Sequence, residues 1–71
     1  MKSLIVRFIC KKQFHIIYDD LELISEITGM HIAYKSDGKN TPYIMFPSHT
    51  NRYLDILRNY GYDIVILEDE I

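Results

Sequence analysis

Arg52-Tyr53-Leu54-Asp55-Ile56-Leu57-Arg58-Asn59-Tyr60-Gly61-Tyr62-Asp63-Ile64-Val65-Ile66-Leu67 holds the signals for a helix, its stop and a strand, and the other elements have to be arranged around that unit. Tyr53, Ile56, Leu57 and Tyr60 recur at helical spacing and Leu54 widens the stripe, while Asp55, Arg58 and Asn59 fall on the other side. One face of this helix therefore needs cover. The periodicity ends at Gly61, and a glycine just past the last turn readily takes the left-handed backbone that lets the final carbonyls find donors. Ile64-Val65-Ile66-Leu67 is an unbroken apolar run rich in β-branched residues. Such a run predicts a strand covered on both faces, at the centre of a sheet.

Working outward, 71 residues make one domain, 1–71, too small to hide more than roughly 60% of its unfolded surface. Modest stability, or a partner that completes the core, is expected. With 48% hydrophobic and 25% charged residues the chain lies outside the regime of disorder. The single cysteine, Cys10, lies in an apolar run and excludes both an intramolecular disulfide and a cysteine-based zinc site. The apolar run of residues 4–10 is broken by Arg7 and falls far short of the roughly 20 residues of a membrane span. No signal-peptide layout is present. A soluble, non-exported, cytoplasmic protein is expected. A net charge of −2 argues against strong non-specific attraction to nucleic acid but leaves room for a local basic patch.

Upstream, Leu4, Ile5, Val6, Phe8 and Ile9 form one β-rich run, and Phe14-His15-Ile16-Ile17-Tyr18 resumes after Lys11-Lys12. This predicts a hairpin with a loose connection, or one bent strand, because two lysines make a poor primed turn. Asp19-Asp20-Leu21-Glu22 resembles a capping box and opens a helix whose buried stripe is Leu21, Leu23, Ile24 and Ile27 and whose stop is Gly29. Met30-His31-Ile32-Ala33-Tyr34-Lys35 alternates as a strand, with Met30, Ile32 and Tyr34 on one face. Asp37-Gly38 suits a reversal, residues 42–46 form the next strand, and Ser48 or Thr50 caps the second helix. The predicted fold class is α/β (α+β), a small mixed sheet in the order β-β-α-β-β-α-β.

Little here points to catalysis. His15, His31 and His49 are too scattered for a metal motif, Asp19-Asp20 and Glu68-Asp69-Glu70 read as a cap and a solvated tail, and the three glycines are too far apart to cradle a phosphate. Cys10 and His15 as nucleophile and base lose to Cys10 as a small hydrophobe. No enzyme activity, cofactor, metal or nucleotide is expected. The stretch Lys11, Lys12, Gln13, Phe14, His15 is different: lysines at a turn meet phosphates, and an aromatic beside them stacks on a base. These five residues are the candidate DNA-binding element, against the plainer reading of solubilising lysines at a hairpin tip with Phe14 in the core.

The chain also resembles a known family, the N-terminal mismatch-recognition domain (domain I) of the MutS DNA mismatch repair proteins. The resemblance is carried by Pro47-Ser48-His49, Arg52-Tyr53-Leu54, Leu57, Gly61-Tyr62 and Ile64-Val65-Ile66-Leu67-Glu68, which are similar to the family's V-P-Y-H, R-Y-L-x-x-L-x-x-x-G-Y and V-A-I-C-E series. Phe8, Ile16-Ile17-Tyr18-Asp19-Asp20 and Ile27-Thr28-Gly29-Met30-His31-Ile32 match earlier segments, so it covers nearly the whole chain. It implies a compact mixed α/β module that inserts a phenylalanine at a mismatch and hydrogen-bonds the base with a glutamate. Aligned on Tyr18-Asp19-Asp20, those two positions fall on Gln13 and His15, and the glycine and aspartate before them on Lys11 and Lys12. A one-residue slip sets Phe14 at the wedge position and Ile16 at the glutamate's, so neither register restores both parts, whereas Lys12 in place of an acid favours phosphate. The reading is a stand-alone, non-enzymatic DNA-binding module, with double-stranded DNA the expected partner and no ATPase or clamp segment to run a repair cycle. The alternative is a protein-interaction or dimerisation module on the same scaffold, with another protein or a second copy as partner. The layout behind both is tied to a doubly covered strand at residues 64–67, and solvent on both sides of that strand would remove the family assignment and the DNA reading drawn from it together.

Overall fold

In the computed structural model, which describes residues 2–69, period-two alternation sorts each long strand into one side facing two helices and one side facing away. The elements are β1 (Lys2–Ile9), β2 (Phe14–Ile17), α1 (Leu21–Thr28), β3 (Ala33–Tyr34), β4 (Pro42–Pro47), α2 (Arg52–Asn59) and β5 (Tyr62–Asp69), in the predicted order. Together they make a small mixed α+β domain. The sheet order is β3-β4-β2-β1-β5. β1 pairs with β2, β2 with β4 and β3 with β4 antiparallel, and only β1 with β5 is parallel.

Leu4 and Val6 of β1, Ile17 of β2, Ile44 and Phe46 of β4, Ile24 of α1, Leu54 and Leu57 of α2, and Tyr62 of β5 are buried together between the helices and one sheet face. Burying each aliphatic side chain contributes about 1.5–3 kcal/mol. Leu21, Ile27, Met30, Ile32, Tyr53 and Ile64 pack around this cluster, half-covered.

Both helix stops are as the sequence implies. Gly29 adopts φ 76° and its N–H donates to the Ser25 carbonyl at 2.9 Å, while Gly61 adopts φ 109° and donates to the Arg58 carbonyl at 3.0 Å. The helix starts differ. Asp20 sits at the N-cap of α1 in a left-handed conformation and makes no capping bond. Its carboxylate instead accepts from the Lys2 ammonium at 2.8 Å and from the Tyr62 hydroxyl at 2.9 Å, joining the starts of β1, α1 and β5. The bond from Lys2, reinforced by that from Tyr62, holds Asp20 below the usual carboxylate range, and burial with the bond to Asp20 pushes Tyr62 up to about 12. At α2 the N-cap is Asn51, again without a side-chain cap, and the Thr50 hydroxyl accepts from the Arg52 N–H at 3.2 Å. Ser48 is engaged elsewhere, through its N–H to the Gln13 carbonyl.

Two expectations about strands are corrected. The strand predicted over residues 30–35 is only Ala33–Tyr34, because Met30 and Ile32 turn in to pack on the core while Tyr34 stays 63% exposed. More consequentially, β5 is not central. It lies at the sheet edge beside β1, and Val65, Ile66 and Leu67 are 41%, 44% and 41% exposed. The physical reason is that the helices cover one face only and reach β5 at Tyr62 and Ile64, leaving the rest of the apolar run bare. Within the tail, Glu68 and Asp69 extend β5, and Glu70 lies outside the described residues.

Ile17, fully buried, and Val65, exposed on the far face, separate core from surface. Ile17→Ala is expected to cost about 2–5 kcal/mol and Val65→Thr less than about 0.5 kcal/mol in urea unfolding followed by circular dichroism.

Candidate nucleic-acid interface

The connection from β1 to β2 is a four-residue loop, residues 10–13, closed by bonds from the Lys12 and Gln13 N–H groups to the Ile9 carbonyl at 3.2 and 2.9 Å. A loop of this length removes the difficulty that two lysines pose for a two-residue primed turn. The left-handed step falls on Gln13, with φ 60°. Its side-chain amide donates to the Cys10 carbonyl at 2.7 Å, and its own carbonyl accepts from the Ser48 N–H at 3.0 Å. Lys11, Lys12 and Gln13 are exposed. Gln13 is thus a structural closure of the loop, not a projecting wedge.

Alternation then splits the remaining two candidates. Phe14, paired with Ile9 and Pro47, turns to the open face of the sheet, and His15, paired with Phe8 and Phe46, turns to the helix face. His15 is 7% exposed, its ring centroid 5.3 Å from that of Phe8 and 5.6 Å from that of Phe46. Its Nδ1 has no hydrogen-bond partner, and burial lowers its pKa from the ordinary 6.5. The expectation that His15 reads DNA is therefore overturned: the side chain is an aromatic core member, held neutral. Phe14 is not in the core, contrary to the plainer expectation for it.

On the open face the structure brings together residues the sequence keeps apart. Ile9, Phe14, Ile16, Tyr18, Tyr43 and Met45 floor a groove of about 300 Å³, with Lys12 from the loop and Lys35 from beyond β3 at its rim. The Lys35 ammonium stands 4.9 Å from the centroid of the Tyr18 ring, and its contact with the Tyr18 side chain raises its pKa, so the charge is secure at neutral pH. Three aromatic side chains and two ammonium groups around an apolar floor form a stacking platform with an anion-attracting margin. Of the predicted element, Lys12 and Phe14 belong to it. Tyr18, Lys35 and Tyr43 were missed. Tyr18 continues the alternation of Phe14 and Ile16 and was legible in principle, but Tyr43 reaches the groove only through the register that sets Ile16 against Met45.

Among the described residues no group of three or more His, Cys, Asp or Glu side chains converges to hold a metal ion. No described helix is long and apolar enough to cross a membrane. No family model, curated protein or solved structure matches the chain.

Because His15 has a lowered pKa when folded, the unfolded chain binds the extra proton more readily, and the stability this residue confers is full above pH 6.5 and declines as pH falls below it. Denaturation midpoints are expected to drop on acidification from neutrality, with a shallower slope in His15→Phe. An identical slope in the two proteins, measured by urea unfolding across a pH series, would refute this role.

Proposed function

We infer that this protein is a non-enzymatic DNA-binding module whose contact surface is the open-face groove, with Phe14, Tyr18 and Tyr43 stacking on bases and Lys12 and Lys35 meeting phosphates. The single observation that carries the reading is the groove itself, aromatic at its floor and cationic at its rim. Stacking on an open sheet suits bases free of their duplex stack, because paired bases present only their edges. The preferred ligand is single-stranded or locally unpaired DNA, within a cytoplasmic setting. The doubly covered strand to which the likeness to MutS domain I was tied is absent, since β5 is bare on both faces beyond Ile64, so the reading rests on the groove and not on that likeness. Neither residue aligned with that family's wedge and glutamate is free to act as they do: Gln13 closes a loop and His15 is buried. Lys11 lies outside the groove and contributes only general attraction. The alternative, a protein-interaction module, is favoured by a separate feature, the bare apolar edge at β5.

Fluorescence anisotropy at low salt, with a labelled single strand, a matched duplex and a mismatched duplex, tests the proposal. The single strand is expected to bind best, Tyr43→Ala to weaken it by about 1–3 kcal/mol, and a Lys12→Ala/Lys35→Ala variant to reduce the slope of log affinity against log salt by about 1.4. Absence of binding to all three at micromolar protein would remove the DNA reading.

A further inference from the structure

Proteins normally protect a sheet edge with short strands, proline, lysine or bulges. β5 has none of the first three: it is eight residues long, and its sequence Tyr62-Asp63-Ile64-Val65-Ile66-Leu67-Glu68-Asp69 contains neither proline nor lysine. Its inner side is occupied by β1, and no described strand lies on its outer side. Along that side a row of backbone N–H and C=O groups points outward. Beside the row stand uncovered apolar side chains on both faces of the sheet, Ile66 on the helix face and Val65 and Leu67 on the open face. Ile5 of β1, paired with Val65 and 44% exposed, extends the patch inward.

The charges fix what such an edge accepts. Asp63 and Glu68 bracket the apolar run, both exposed, and their spacing places them on opposite faces. A second copy is a poor occupant. Antiparallel pairing of two β5 strands about Ile66 sets residue 63 of one, an aspartate, opposite residue 69 of the other, also an aspartate, and parallel pairing in register sets Asp63 against Asp63 and Glu68 against Glu68. Like charges across a ladder are destabilising, so the two acids act against self-pairing while leaving the edge open to an opposite pattern.

We propose that the outer edge of β5 is a docking site for an extended segment of another protein, apolar and β-branched at its centre with a Lys or Arg at each end, which adds as a sixth strand. Main-chain bonds supply the affinity and the alternating side chains the register. Ile66 packs the incoming strand on one face, Val65 and Leu67 on the other, and the bracketing acids fix its ends. The site lies apart from the groove and does not depend on the DNA reading.

The probes are two labelled peptides, one with lysines bracketing four β-branched residues and its twin with glutamates in the lysines' places. At low salt the lysine peptide is expected to bind at least about tenfold more tightly, and to shift amide resonances of residues 62–68 in heteronuclear NMR. The preference is expected to reverse in Asp63→Lys/Glu68→Lys, whose fold is checked by circular dichroism. The comparison of the two peptides on the unaltered protein stands even if that variant fails to fold. Equal affinities, no binding at millimolar peptide, or shifts confined to other strands would overturn the site. So would a dimer in light scattering that Ile66→Lys abolishes, since the edge would then belong to a second copy.

Discussion

Two helices of eight residues cannot cover both faces of a five-stranded sheet, and most of this structure follows from that shortage. An eight-residue helix is about 12 Å long, while four strand spacings make a sheet about 19 Å wide. Laid side by side, α1 and α2 serve one face, over β4, β2, β1 and the start of β5. The other face is left without a layer. Its apolar residues have to be half-sheltered by one another, by aromatic rings and by lysine stems, and that is the state of Phe14, Ile16, Tyr18 and Tyr43. The open groove and the bare strand edge are thus two results of one deficit in cover.

This deficit also explains which parts of the molecule were legible. Element order was, because it depends on local signals: the stripe in residues 53–60, the glycines after each helix, the acidic start of α1 and the turn at Asp37-Gly38. That turn is built much as its residues imply, with Gly38 at φ 81° and the Asp37 carboxylate accepting from the Lys39 N–H and the Thr41 hydroxyl. Position in the sheet was not legible. Ile64-Val65-Ile66-Leu67 has the composition of a central strand, and composition reports how apolar a strand is without reporting what lies beside it. Here the parallel partner is β1 alone, because β2 and β4 take the other side.

The candidate site shows a similar division. A stretch of basic and aromatic residues at a turn was visible, but reading Lys11, Lys12, Gln13, Phe14 and His15 as one element ignored the pleat, which sends Phe14 and His15 to opposite faces. The aromatic partners of Phe14 come from beyond the loop and from β4, and their proximity is a product of register between distant segments. His15 is the sharper lesson. A histidine beside lysines reads as a ligand contact, yet its neighbours across the ladder are Phe8 and Phe46, and a ring between two rings serves packing before it serves titration.

The two uncovered surfaces differ in charge, and the difference sorts what each can hold. The groove lies over β2 and β4 with Lys12 and Lys35 at its rim, while the β5 edge, across β1, is bracketed by Asp63 and Glu68. With a net charge of −2, the chain has no general field to draw in a polyanion, so attraction rests on the few cations near the groove and fades within about 10 Å at moderate salt. On the two proposals above, charge placement does for selectivity what the small core cannot do through shape, and ligands of opposite sign use different residues of one sheet.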